Sequence, residues 1–422
     1  MKTYPLETII SIARTLSPYY KNLYEKVPES GWKISDLPPV DQTAFWVHNT
    51  VEDNRLLTGE MSDGIIFKSG GTTGKPKFSV YSREEWETMT GTFGYHLAES
   101  GLEKGDRVAN LFYAGELYSS FLFLHDSLEL CPVEVMIFPI SGAAPIEFMV
   151  KEFIDFRINT LVGVPTQLIS LAEYIKNESV EGVKIKKVYF GGESMYQDQR
   201  ELIKEVFPGI RIYSVGYASV DGGLLGFIDE ECGFNEHRVF DGYNIIEIVD
   251  DNTGEVIEEC NREGRMLTTN LSRLLMPIIR YPVGDHGIWI EKKGTKNRKF
   301  KILGRSEEGA RIGVVTMNVD NFLHILHMIK PVFHAVNFQM VIDHIDKMDK
   351  LTLRIVVDDP SEVQPEWEEK LLETIFTERP EFKEEIAISG VHPISIEWIG
   401  PGELKINPRT GKIRRIIDNR FK

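Results

Sequence analysis

The stretch Ser69-Gly70-Gly71-Thr72-Thr73-Gly74-Lys75-Pro76-Lys77 is the most informative part of this 422-residue sequence. It directly follows the apolar run Gly64-Ile65-Ile66-Phe67, which predicts a β-strand. Three glycines permit positive φ angles and close approach of a ligand to the backbone, while hydroxyl and ammonium groups supply donors and positive charge. The stretch therefore predicts a loop that binds a polyphosphate.

This loop does not match the Walker P-loop. A Walker loop has a glycine five residues before the glycine of its Gly-Lys pair and a Ser or Thr directly after the lysine. Ser69 and Pro76 occupy those two positions here. The sequence therefore disfavours a Walker-type phosphotransferase, which would form ADP instead of AMP and pyrophosphate.

Composition excludes several other classes of protein. Lys and Arg total 48 against 64 Asp and Glu, so the formal net charge is −16 and binding to nucleic acid is not expected. Cys131, Cys232 and Cys260 lack the spacing of a zinc site or a disulfide framework, which fits a reducing cytoplasm. We also expect no secretion signal and no membrane-spanning helix, because no apolar run is long enough.

The pattern of short apolar runs predicts an α/β protein. Strand-like runs such as Arg107–Phe112 and Lys187–Phe190 alternate with helical segments such as Phe148–Phe156 and Gln197–Val206. Beyond Arg305 the character changes. A strand is predicted at 351–357, a charged helix follows at 361–376, and the C-terminal end is basic. The length and this change predict two domains with a boundary near Gly304-Arg305.

The loop Ser69–Lys77 resembles the signature loop of the adenylate-forming superfamily, which includes acyl- and aryl-CoA ligases and peptide-synthetase adenylation domains. The resemblance implies that residues 69–75 surround the β- and γ-phosphates of ATP, with Thr72, Thr73 and Lys75 as the main contacts. Four further motifs of that family can be identified in the same order along the chain.

Two motifs resemble the family's adenine-binding segments. Tyr189-Phe190-Gly191-Gly192-Glu193-Ser194 is similar to the glycine turn that lies against adenine, which implies contacts from Gly191, Gly192 and Glu193. Ser214 to Gly223 resembles the Tyr-Gly-x-Thr-Glu loop, in which Tyr217 and Ala218 would contact adenine and Asp221 would bind Mg²⁺. Here Ala218 replaces a glycine, Val220 replaces a hydroxyl residue, and Asp221 is shorter than the usual glutamate.

The remaining motifs lie nearer the C-terminus. Arg280-Tyr281-Pro282-Val283-Gly284-Asp285 resembles the motif whose aspartate holds the ribose hydroxyls, and Arg305 would also reach the nucleotide. Glu307 stands at the position of the family's hinge residue. Asn407 to Arg415 resembles the tail that carries the catalytic lysine, which implies this role for Lys412.

Within this superfamily, the total length and the short N-terminal region, with Ser17-Pro18-Tyr19-Tyr20 and Ser35-Asp36-Leu37-Pro38, are most similar to the phenylacetate-CoA ligase branch. This resemblance implies a large multi-sheet α/β N-terminal domain over residues 1–304 and a smaller, mobile α+β C-terminal domain over 305–422. It also implies ATP-dependent activation of a carboxylic acid to an acyl-adenylate with release of pyrophosphate, followed by transfer to a thiol. The acceptor is either coenzyme A or the phosphopantetheine of an acyl carrier protein, and a third alternative is that the reaction stops at the adenylate, as in some members of the family.

The identity of the acid is less well determined by the sequence. Phe112, Tyr113 and Gly216 lie where the family forms its acyl pocket, and the aromatic side chains suit an aryl acid. A small aliphatic acid remains an alternative, as does a degenerate homologue that only binds a nucleotide or an acid. The histidines at 125, 286, 324 and 327 are interpreted as structural. The sequence does not indicate an oligomeric state.

Overall fold

The computed structural model describes residues 2–68, 78–192, 195, 197–251, 253–305, 309–312, 315–345, 348–387, 391–406 and 413–419. Contacts divide the chain into a larger unit, Met1–Leu303, and a smaller unit, Gly304–Asn407 with Ile413–Lys422. Among the described residues, no helix has both the length and the apolar character needed to cross a bilayer.

The larger unit begins with three helices that pack against the segment before one of its long strands. Ile9, Ile10 and Ala13 are buried at helical spacing and share an apolar cluster with Ile278 and Ile279. The three helices are α1 (Leu6–Leu16), α2 (Pro18–Leu23) and α3 (Gln42–Val47).

A short antiparallel hairpin follows, formed by β1 (Ile65–Lys68) and β2 (Phe78–Tyr81). Lys68 pairs with Phe78, so these two residues close the ends of the segment 69–77, which lies outside the described residues. The hairpin continues into α4 (Arg83–Glu99), whose N-terminus is capped reciprocally by Ser82 and Glu85.

A five-stranded parallel sheet forms the centre of the larger unit, with the strand order β4-β3-β5-β6-β7. Helices alternate with its strands, as expected where parallel neighbours need crossover connections. The elements are β3 (Arg107–Asn110), α5 (Ser120–Glu129), β4 (Met136–Pro139), α6 (Ile146–Asp155), β5 (Thr160–Gly163), α7 (Pro165–Asn177), β6 (Lys187–Phe190), α8 (Gln197–Val206) and β7 (Arg211–Ser214).

The chain then leaves this sheet for antiparallel structure. A hairpin of β8 (Tyr217–Ser219) and β9 (Gly223–Gly226) precedes a five-stranded sheet with the order β10-β14-β13-β12-β11. The five strands are β10 (Glu236–Arg238), β11 (Asn244–Val249), β12 (Gly264–Asn270), β13 (Tyr281–Trp289) and β14 (Lys299–Arg305).

The smaller unit contains a four-stranded mixed sheet with the order β19-β18-β17-β20 and its own apolar core. Phe338 and Met340 on β17 point into that core together with Leu353 and Ile355 on β18. The elements are β15 (Gly309–Ile312), β16 (Val315–Asn318), α9 (Val319–Ile329), β17 (Asn337–Ile345), β18 (Met348–Val356), α10 (Pro365–Glu378), α11 (Pro380–Ala387), β19 (Ser395–Ile399) and β20 (Ile416–Asp418).

The predicted α/β fold class is confirmed, and most predicted elements are present. The structure corrects the length of one strand, since β3 ends at Asn110 and not at Phe112. The Asn110 side chain donates to the carbonyl of Phe121 and accepts from the amide of Phe112, which replaces the ladder at this end.

Two glycines of α4 give a test of its close packing against α5. A Cβ atom at Gly94 would lie 2.2 Å from the carbonyl oxygen of Ser127, whereas one at Gly91 would only approach a Leu130 methyl group at 3.7 Å. We expect Gly94→Ala to lower the free energy of unfolding by about 1–3 kcal/mol through overpacking. Gly91→Ala should raise it by roughly 0.5–1 kcal/mol through helix propensity. Urea denaturation of both variants tests this, and equal effects would contradict the described packing.

Candidate functional site

The side chain of Arg273 joins two segments that the sequence singled out. Arg273 lies in the segment that connects β12 to β13, and its side chain is fully buried. Its Nη2 donates to the carbonyl of Val80 at 2.5 Å. Its Nη1 donates to the carbonyl of Asp221 at 2.8 Å, and the guanidinium lies 3.9 Å from the centroid of the Tyr81 ring. The strand that follows the glycine-rich segment is thereby connected to the turn that carries Asp221.

The carboxylate of Asp221 accepts hydrogen bonds from two hydroxyl groups of distant segments. Ser79 Oγ donates to Oδ1 at 3.2 Å, and Tyr281 Oη donates to Oδ2 at 3.2 Å. Burial raises the pKa of Tyr281 well above its ordinary value, so this phenol remains a donor at neutral pH. The predicted magnesium ligand is therefore held in a defined orientation between the hairpin and β13.

Tyr217 and Asp285 lie in direct contact although 68 residues separate them. The Tyr217 hydroxyl donates to the Asp285 carboxylate, which is buried with an exposed fraction of 7%. Asp285 directly follows Gly284, whose φ of 88° places the backbone in the region that glycine favours. The structure thus brings together the residues predicted to contact adenine and ribose, while Ala218 is exposed beside them.

Phe112 and Gly191, predicted for the acyl and adenine contacts, also lie together. A Cβ atom at Gly191 would approach Phe112 Cζ at 3.4 Å and Val215 Cγ2 at 2.3 Å, so only glycine fits there. Gly216 follows Val215 with a φ of 94°, and a Cβ at Gly216 would lie 2.6 Å from the carbonyl oxygen of Gly226. Gly192 has a φ of 81° and is exposed.

Tyr113 packs on a different neighbour from Phe112. Its Cε2 atom would lie 2.8 Å from a Cβ atom at Gly142, and the amide of Gly142 donates to the carbonyl of Phe112 at 3.1 Å. Both aromatic side chains belong to the same apolar cluster, in which Phe112 is buried and Tyr113 half-buried.

Several predicted site residues lie outside the described residues, and their roles remain predictions. They are the loop residues Ser69, Gly70, Gly71, Thr72, Thr73, Gly74 and Lys75, the turn residue Glu193, the hinge residue Glu307 and the lysine Lys412. The backbone of Arg305 ends β14, but its side chain is outside the described part.

Sequence reasoning did not identify Arg273 or Ser79 as site residues. One signal was available for the first of them. Arg273 is the single charged residue in the apolar stretch Leu271 to Ile279, and a charge in such a stretch is rarely buried without a partner. Ser79 lies in an ordinary strand sequence and carried no signal.

Two histidines interpreted as structural have carboxylate neighbours in the fold. The ligand atoms of His125, Asp126 and Glu129 lie within 4.8 Å of one another, and Trp86 Nε1 donates to Asp126 at 2.6 Å. His286 Nε2 lies 2.9 Å from Asp251. Their structural role remains a prediction.

His237 packs beside the Tyr217 ring and provides a pH-dependent test. Burial lowers the pKa of His237 to about 4 from an ordinary value of 6.5. The unfolded chain therefore binds a proton that the folded chain rejects as the pH falls from about 6.5 to about 4. The contribution of neutral His237 to the free energy of unfolding is fully present above about pH 6.5 and is lost as the pH falls across this range.

His237→Phe keeps the stacking on Phe300. Between about pH 7 and about pH 4.5, we expect its free energy of unfolding to fall by roughly 2 kcal/mol less than that of the parent. Urea denaturation at the two pH values measures this difference. An equal loss in both proteins would show that His237 is not held in its neutral form.

Comparisons with known proteins identify chains that are similar in sequence and in fold. No protein-family model matches the chain. A phenylacetate-coenzyme A ligase of Thermus thermophilus is 24% identical over 438 aligned positions, covering 98% of this chain and 95% of the relative.

Two solved structures show the same fold. A 2-hydroxyisobutyryl-CoA ligase in its postadenylation state superposes with a TM-score of 0.71 at 19% identity, covering 99% of this chain and 88% of that one. ATP-bound MatB from Rhodopseudomonas palustris superposes with a TM-score of 0.59 at 14% identity, covering 87% and 67% of the two chains. This chain is thus similar in sequence to phenylacetate-coenzyme A ligases, and its fold is that of the 2-hydroxyisobutyryl-CoA ligase and MatB structures.

Proposed function

We propose that this chain activates a carboxylic acid with ATP, forms an acyl-adenylate and pyrophosphate, and transfers the acyl group to the thiol of coenzyme A. The observation that supports this most is the connection of the Asp221 turn to the strand after the glycine-rich segment. Arg273 and Ser79 form that connection. An enzyme that cleaves ATP at the α-phosphate needs its phosphate loop and its metal ligand at one place.

In the first step an oxygen of the substrate carboxylate attacks the α-phosphorus of ATP. The new P–O bond forms while the bond to the β-phosphate oxygen breaks, and both electrons leave with pyrophosphate. Negative charge develops on the bridging and equatorial oxygens, so a positioned cation stabilises the transition state. We assign this role to Lys412, and the phosphate contacts to residues 69–75.

Tyr217 and Asp285 would hold the nucleoside. Asp285 is bonded by Tyr217, and a carboxylate, with about four lone-pair sites, can accept from more than one donor. It would accept from the ribose hydroxyls, while the Tyr217 ring packs on adenine with the glycine turn Gly191-Gly192. Arg305 would provide a further contact to the nucleotide.

Asp221 is the residue that fits a magnesium ion. Its two oxygens each accept one hydroxyl bond, and a carboxylate is among the hard oxygen ligands that Mg²⁺ prefers. When bound there, Mg²⁺ would neutralise phosphate charge. The hydroxyl groups of Ser79 and Tyr281 keep the carboxylate oriented whether or not the ion is present.

In the second step the thiol sulfur attacks the acyl carbon of the adenylate. The C–S bond forms, the C–O bond to AMP breaks, and the thiol proton passes to solvent or base. We propose residues 305–422 as a mobile domain, with Glu307 at its hinge, that exchanges Lys412 for the thiol between the two steps. A carrier-protein phosphopantetheine is the alternative acceptor.

We infer an aryl acid as the substrate, because the Phe112 ring borders Gly191 in the proposed acyl pocket. A small aliphatic acid is the alternative, supported by the similarity to a hydroxyisobutyryl-CoA ligase fold. The free cysteines at 131, 232 and 260 agree with a cytoplasmic location.

Exchange of labelled pyrophosphate into ATP tests this proposal directly. The assay contains Mg²⁺ and one acid from a panel of phenylacetate, benzoate, hydroxybenzoate and short aliphatic acids. We expect acid-dependent exchange, with the highest rate for an aryl acid. Binding of ATP without exchange for any acid would contradict the proposal and favour a degenerate binding protein.

Lys412→Ala tests the assignment of the catalytic cation. Because the ammonium group is proposed to act only in the transition state, kcat for exchange should fall by about two or more orders of magnitude while the KM for ATP changes little. Lys383→Ala, which removes an exposed lysine on α11, serves as the matched control. Undiminished exchange in Lys412→Ala would remove this residue from the mechanism.

A further inference from the structure

Gln339 on β17 is a fully buried amide with all of its hydrogen-bonding capacity used. Its Oε1 accepts from the backbone amide of Lys405 at 3.0 Å, and its Nε2 donates to the carbonyl of Lys405 at 2.7 Å. The side chain thus pairs with one main-chain residue as a neighbouring strand would. Buried polar side chains with complete bonding specify a single arrangement of the groups they contact.

The same amide also reaches the other side of a chain reversal. Nε2 donates a second bond to the carbonyl of Arg414 at 2.9 Å, and the Arg414 amide donates to the carbonyl of Lys405 at 3.2 Å. Ile406 and Ile413 form an antiparallel bridge beside this pair. Gln339 therefore holds both strands of a stem, which we define as Lys405–Ile406 and Ile413–Arg414.

The stem flanks a segment with an assigned function. Six residues of sequence join Ile406 to Ile413, and Lys412 is the last of them. Lys412 lies outside the described residues, but it is adjacent to Ile413 in the chain. A single peptide bond therefore joins Lys412 to the stem.

A row of cross-strand contacts fixes Gln339 from the other side. Arg354 is its register partner on β18, and Arg354 Nη1 donates to Gln339 Oε1 at 2.9 Å. Arg354 Nε in turn donates at 2.8 Å to Glu397, its register partner on β19. This polar row lies on the face of the sheet opposite the core residues Phe338 and Met340.

We propose that Gln339 is a positioning residue for Lys412. Its bonds to Lys405 and Arg414 fix the distance and the direction of the stem relative to the sheet of the smaller unit. This inference rests on the proposed adenylation activity. A cation that stabilises a transition state must be placed accurately, and misplacement by about 1 Å costs on the order of 100-fold in rate.

Gln339→Leu tests the proposal, because leucine has a similar volume but cannot bond to the stem. We expect kcat for pyrophosphate exchange to fall roughly 10- to 100-fold, with the KM values for ATP and acid within about twofold of the parent. Thioester formation from presynthesised acyl-adenylate and coenzyme A should remain within about twofold, because Lys412 acts only in the first step. A general structural defect would lower both half-reactions.

Three further variants make the outcome decisive. Thr352→Val changes a polar residue two positions before Arg354 on β18, whose register partners are Val341 and Ser395, and it should leave exchange unaltered. Gln339→Glu keeps the acceptor for Arg354 but loses both donors to the stem, so it should also lower exchange. This variant provides the test if Gln339→Leu does not fold. In a Lys412→Ala background, Gln339→Leu should cause no further loss.

Unchanged exchange in folded Gln339→Leu, combined with loss in Lys412→Ala, would overturn this inference alone. Equal loss in both half-reactions would also overturn it. Full exchange in Lys412→Ala would instead show that the assignment of the catalytic lysine had failed.

Discussion

Arg273 is a fully buried cation whose two hydrogen bonds to main-chain carbonyls connect β2 with the Asp221 turn. Its position is further defined by the face of the Tyr81 ring. If the guanidinium were removed, two carbonyl oxygens would lose their donor, and an unsatisfied buried polar group costs about 1–3 kcal/mol. The residues at the base of the glycine-rich segment and at the proposed metal site are therefore held by the same side chain.

A similar arrangement occurs in the smaller unit. Gln339, like Arg273, is buried, polar and bonded to backbone groups of two segments that adjoin a residue with a proposed role. In both units, helices and strands position the segments to which Arg273 and Gln339 bond. These two buried side chains then orient the backbone of the segments. The proposed nucleoside contacts are assigned instead to neighbouring residues such as Asp285, a carboxylate that can accept from several donors.

The sequence predicted the fold class and several elements correctly because apolar periodicity directly encodes strands and helices. It also predicted the motif residues Tyr217 and Asp285, which the fold brings into contact. It did not predict the roles of Arg273, Ser79 or Gln339, since each pairs with segments that are distant in the sequence. Only Arg273, a single charge in an apolar stretch, left a local signal. The end of β3 at Asn110 was missed for a related reason, because a side chain there replaces the ladder.

The most direct test of the role of Arg273 is the affinity of Arg273→Lys for MgATP, measured by equilibrium titration. A urea transition first shows that the variant is folded. Lysine keeps the charge but cannot reach both carbonyls in the same geometry. Arg298→Lys is the matched control, because Arg298 is also buried but bonds to Glu258 and Glu291. We expect the affinity for MgATP to weaken about tenfold or more in Arg273→Lys and to stay unchanged in Arg298→Lys. Parental affinity in folded Arg273→Lys would contradict this role.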